Sequence, residues 1–147
     1  MKRLFPALVL VTAACSQDIT GPKFASVADL SGRWNLAGLV LVGVPDSSKR
    51  LDVRARFGLS ATLSISPGGR AVITATAQGN EFADTAALAL YADTLTYTRA
   101  NSYSVVYILR GSGQSMTWTA VQTNDSFDLD GDGTPDVARE IDTWQRF

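Results

Sequence analysis

From Leu30 onward, apolar and polar residues alternate with period two, the spacing of a strand that buries one face. Ser60-Ala61-Thr62-Leu63-Ser64-Ile65-Ser66 alternates cleanly, and Pro67-Gly68-Gly69 follows with turn chemistry. Arg70 to Ala77 carries β-branched residues at alternate sites and ends at Gln78-Gly79-Asn80. Thr94-Leu95-Thr96-Tyr97-Thr98 sets Leu95 and Tyr97 on one face and three threonines on the other. Tyr103, Val105, Tyr107 and Leu109 share a face, and Gly111-Ser112-Gly113 turns the chain into Ser115–Val121. The pattern predicts about eight strands, at 32–44, 58–66, 70–78, 84–91, 94–99, 103–110, 114–121 and 138–147. Short connections make sequence neighbours antiparallel partners. The expected fold is therefore all-β, an antiparallel up-and-down barrel of about eight strands, because closure removes exposed edges. A two-sheet β-sandwich is the alternative. Pro45–Phe57 is the one long early connection and reads equally as a loop, a short helix or an extra strand.

The N-terminus follows a different pattern. Met-Lys-Arg precedes an apolar run from Leu4 to Val11, and Thr12-Ala13-Ala14-Cys15 follows. A basic head, a short apolar run and small residues make an export signal, too short to span the ~20 residues of a bilayer core. Cys15 is the only cysteine and stands directly after that run. The segment resembles a bacterial lipoprotein signal peptide, although Thr12 stands where that family has a leucine-like residue. The resemblance implies a signal peptide over 1–14 and lipidation of Cys15. An ordinary cleaved signal beside a spare thiol is the plainer reading. Residues 15–29 lack periodicity and read as the lipidated N-terminus and a flexible tether, with the domain at 30–147. Whether Phe24 and Val27 dock on that domain is left open by the pattern. Ser16 is not the aspartate that holds some lipoproteins at the inner membrane. The expected address is thus the cell envelope, lipid-anchored, at the outer membrane rather than the inner.

Composition narrows the chemistry. Removing residues 1–14 takes Lys2 and Arg3 and no acid, which leaves 11 basic and 14 acidic residues and a formal charge of −3. That charge offers no footprint for nucleic acid, so no nucleic-acid partner is expected. No internal disulfide can form, and a monomer held by its core is expected. The chain has no histidine, which removes the commonest general base and the commonest zinc ligand. No Gly-x-Ser-x-Gly elbow occurs, and no glycine loop suits a phosphate. An enzyme is not expected. Glu81 and Asp84 read as solvated loop charges.

Ser31-Gly32-Arg33-Trp34 opens the first strand, and Arg146 lies on the last. A Gly-x-Trp at the first strand with a terminal arginine resembles the lipocalin-like barrels. That resemblance implies that Trp34 plugs a closed end and that Arg146 packs over it, with Gly32 at the strand's start. The plainer reading makes Trp34 a core aromatic of any antiparallel sheet.

The sharpest local motif is Asp128-Leu129-Asp130-Gly131-Asp132-Gly133-Thr134-Pro135-Asp136. Alternate aspartates can converge on one hard cation while Gly133 permits the turn. The motif resembles the calcium loops of EF-hand-like and thrombospondin-type repeat proteins. That implies a Ca2+ site of Asp128, Asp130, Asp132, Thr134 and Asp136, with Glu140 completing the shell, since Arg139 stands at the twelfth position. An acidic hairpin loop without metal is the plainer reading.

The leading expectation is a cell-envelope lipoprotein that binds a small apolar or amphipathic ligand inside the barrel, without catalysis. Trp34, Phe57, Tyr91, Tyr97, Tyr103, Tyr107, Trp118 and Trp144 either line a cavity or fill the interior. A filled barrel acting as a structural or inhibitor-like interaction module, calcium-stabilised, is the alternative. An interior cavity of about 300 Å3 or more favours the binder. An exposed apolar rim favours the module. Carboxylates clustered inside a cleft favour an enzyme.

Overall fold

The computed structural model describes residues 23–147. The signal segment 1–14, Cys15 and residues 16–22 of the expected tether lie outside the described residues. Ten strands form: β1 (Gly32–Gly43), β2 (Arg50–Asp52), β3 (Ser60–Ile65), β4 (Arg70–Ala77), β5 (Asn80–Tyr91), β6 (Thr94–Arg99), β7 (Ser104–Ser112), β8 (Ser115–Ala120), β9 (Asn124–Phe127) and β10 (Asp136–Arg146). All pair antiparallel, and each barrel strand lies beside its sequence neighbour apart from the β2 and β9 insertions. β1 pairs with β10 from Trp34↔Arg146 to Gly43↔Ala138, and this pairing closes an eight-stranded barrel. The chain is an all-β up-and-down barrel rather than a sandwich. Closure leaves no free edge in the barrel itself.

Period two governs what each strand buries. Leu63 and Ile65 of β3, Leu95 and Tyr97 of β6, Tyr107 and Leu109 of β7, and Met116 and Trp118 of β8 all point inward. β1 departs from this alternation. Its register shifts between Leu36 and Gly38, a bulge that inserts one extra residue. Leu36 and Leu39 consequently both face the interior, and Arg54 donates to the Ala37 carbonyl at the bulge.

β1 and β10 overrun the barrel at one end. There β2 pairs with β1 at Val40–Val42, and β9 pairs with β10 at Asp136 and Ala138. The long connection after β1 holds both a short strand, β2, and a single-turn helix, α1 (Val53–Phe57). Asp52 caps that helix by accepting from the Ala55 N–H, and Gly58 ends it in the left-handed region. Leu41, Leu129 and Ala138 form a second small core there, flanked by Leu51, Val53 and Phe127.

The opposite end is shut by residues expected in the tether. Val27–Leu30 is a turn of 3-10 helix, and the Asp29 carboxylate accepts from the Ala25 and Ser26 N–H groups. Phe24 packs edge-on against Trp34 at 6.1 Å, and Leu30 is fully buried. Phe24 and Val27, whose docking the sequence pattern leaves open, both pack on the barrel core beside Leu30.

Candidate functional site

The closed end brings together the three residues that the sequence marks. Trp34 has no solvent exposure, and its indole N–H donates to the Leu30 carbonyl at 2.9 Å. The Arg146 guanidinium lies 4.5 Å above the Trp34 ring and donates to the Asp29 carbonyl at 2.8 Å. Trp34 and Arg146 sit directly opposite each other in the β1–β10 register, so the contact follows from strand pairing. Gly32 has φ of +126°, a conformation closed to residues with a side chain, although space around it is free. It lets the chain turn from the 3-10 helix into β1. This end is a structural plug.

The open half of the barrel holds a cavity of about 270 Å3. Its walls are apolar side chains of β1, β3 and β4 and the rings of Tyr97, Tyr107, Trp118 and Trp144, with Phe82 and Arg99 toward the mouth. Trp118 is the hub of this aromatic wall, 5.5 Å from Tyr107, 5.7 Å from Trp144 and 6.5 Å from Tyr97. Space exists there because Ala61 and Ala75 stand where larger residues would fill the barrel. Of the other aromatics noted in the sequence, Tyr91 and Tyr103 are exposed and Phe57 is partly buried.

Two acids share that wall. Glu140, Asp142 and Trp144 follow at period two on β10, so the face that buries Trp144 also carries both carboxyls inward. Asp142 is only 5% exposed and is the one buried charged side chain among the described residues. Burial, and then the charge and hydrogen bond of Glu140, push its carboxyl well above the usual carboxylate range. Tyr107 donates to Glu140 Oε1 at 3.3 Å, and burial together with the two acids keeps its phenol protonated far above neutral pH. Tyr97 donates to Asp84 at 3.1 Å, and burial pushes its phenol up to about 12. Asp142 Oδ1 and the Trp144 indole N–H are buried without a hydrogen-bond partner. Such unpaired groups cost roughly 1–3 kcal/mol each and are where a bound molecule gains most.

Glu140, expected to complete a calcium shell, is not part of the loop's carboxylate group. It faces the barrel interior. In the loop itself Asp128, Asp130 and Asp136 bring carboxylate oxygens within 4.8 Å of one another. Asp132 and Thr134 are not part of that group; Asp132 Oδ1 accepts from the Thr134 N–H at 2.7 Å. The carboxylates also build the turn. Asp128 accepts from Gly131 and Gly133 at 2.6 and 2.8 Å, and the Gly133 bond leads in holding its carboxyl below the ordinary value. Lys49 reaches in from the β1–β2 connection and places Nζ 2.7 Å from both Asp130 Oδ2 and Asp136 Oδ1. Hydrogen bonds to the two acids hold its ammonium charged beyond its ordinary range. A calcium ion would compete with Lys49 for the same oxygens.

Comparison with known protein families, curated proteins and solved structures finds no match.

Chemically, the cavity offers aromatic faces, two acids and two phenols that donate. Glycosidase carboxyl pairs stand at least ~5 Å apart to flank a bond. Glu140 and Asp142 instead stand at alternate positions of one strand, side by side on one wall. The arrangement suits recognition of a polar head within an apolar chamber.

Proposed function

We propose that this chain is a cell-envelope lipoprotein, anchored through Cys15 at the outer membrane, whose barrel binds a small amphipathic molecule without catalysis. The carrying observation is the cavity of about 270 Å3 that pairs apolar walls with buried polar groups lacking partners. That volume sits near the ~300 Å3 lower edge of ligand pockets. It suits a seated portion of roughly ten non-hydrogen atoms. The signal-like N-terminus supports the address. A filled interaction module is the weaker reading, because the open half is not filled.

Trp118 and Trp144 report on the cavity directly, while Trp34 sits at the far end. The detergent-solubilised full chain is titrated with small molecules of about nine non-hydrogen atoms, neutral and charged, following tryptophan emission. At least one should give a saturable change that Ala75→Leu, which fills the cavity, removes. Ala61→Phe serves as a second filling variant should Ala75→Leu fold poorly. Emission that no probe alters, or that changes equally in the filled variants, refutes the binding reading.

A further inference from the structure

We propose that the molecule held in the barrel carries a positively charged nitrogen, seated between the Glu140–Asp142 carboxyls and the aromatic wall of Tyr107, Trp118 and Trp144. The proposal rests on the binding role above and specifies the chemistry of its ligand.

Four observations point the same way. Both acids project from one face of β10 into the cavity wall, where an apolar residue would pack the barrel more cheaply. Asp142 Oδ1 is buried on that wall, and the fold supplies it no hydrogen-bond partner. Arg99 is the one cationic side chain among the residues lining the cavity, and its Nε is committed to Asp84 Oδ2 at 2.5 Å. Its guanidinium also lies over the Tyr97 and Tyr103 rings, at 6.0 and 5.6 Å, which holds it toward the rim. The walls therefore offer a carboxyl pair with no cationic side chain committed to it among the lining residues. Finally, the rings packed around Trp118 present the π-faces that stabilise an organic cation stripped of water. A charged N–H group satisfies the acids while its apolar body lies along Leu36, Leu39 and Ile73.

The test compares three probes of nine or ten non-hydrogen atoms on the full chain in detergent: 2-phenylethylamine as the cation, 2-phenylethanol as the neutral form and phenylacetate as the anion. Tryptophan emission gives each Kd in wild type, Asp142→Asn, Glu140→Gln and Ala75→Leu. The amine should bind at least tenfold more tightly than the alcohol, and the anion least of all. Asp142→Asn and Glu140→Gln should each weaken the amine at least tenfold and leave the alcohol within about twofold. Circular dichroism confirms that the variants keep their strands, and either acid variant alone suffices if the other misfolds. Equal binding of amine and alcohol, abolished by Ala75→Leu, overturns the charge proposal and leaves the binding role standing. Preference for phenylacetate overturns it in favour of Arg99. Binding of none of the three, or binding indifferent to Ala75→Leu, removes the binding role itself.

Discussion

Asp142 makes the pH dependence of stability a direct probe of the barrel interior. Its native carboxyl titrates well above the usual range, because burial and Glu140 both oppose its charge. The unfolded chain releases that proton near pH 4. Above that pH the native state holds a proton that the unfolded state has lost, so stability falls as pH rises. The fall ends only when pH passes the native value. One proton sets a slope of at most about 1.4 kcal/mol per pH unit. For a domain of this size that is on the order of 5 °C of melting temperature per pH unit. Asp142→Asn keeps the shape and removes the titration. Thermal unfolding of both proteins at pH 4, 5, 6 and 7 gives a difference curve in which other acids cancel. The variant should gain on wild type steadily as pH rises from 4. Parallel curves, or a variant that loses ground toward pH 7, would show that Asp142 is charged and satisfied in the folded chain.

Three further outcomes follow from other parts of the molecule. Trp34→Ala should cost about 3–5 kcal/mol as a large core truncation, and Arg146→Met about 0.5–2 kcal/mol through the lost ring contact; urea denaturation checks both, and a Trp34→Ala cost below 1 kcal/mol contradicts the plug. Lys49→Met leaves the carboxylates of Asp128, Asp130 and Asp136 without their cation, so millimolar calcium should raise its melting temperature more than that of wild type; equal shifts with calcium and magnesium, or none, make the loop a plain acidic turn. Cys15→Ser should release the protein into the soluble fraction or block its processing, and unchanged membrane association would refute lipidation.

The barrel was legible because half-buried strands write their burial into the sequence at period two. Strand ends at Arg70, Tyr91, Thr94 and Arg99 fall within a residue of expectation. β5 starts earlier than expected, at Asn80, because Glu81, Phe82 and Ala83 are exposed and break the alternation while the backbone still pairs with β4. β2 was legible only as one of three readings of Pro45–Phe57, and β9 not at all: three and four residues are too few for a period, and both strands pair where β1 and β10 overrun the barrel. The β1 bulge likewise leaves no local mark. Glu140 was misplaced by counting along a calcium motif. Counting back from the apolar Trp144 at period two would have sent Glu140 and Asp142 into the core. Lys49 could not be linked to Asp136 from sequence, since 87 residues separate them.

The most direct measurement of the central claim is native mass spectrometry of the full chain, extracted from the envelope in mild detergent. The account predicts a small non-covalent adduct of roughly ten non-hydrogen atoms on wild type, lost in Ala75→Leu. A chain that carries no adduct and accepts none of the offered small molecules, or one whose adduct survives Ala75→Leu and Ala61→Phe unchanged, would contradict a ligand held in the barrel.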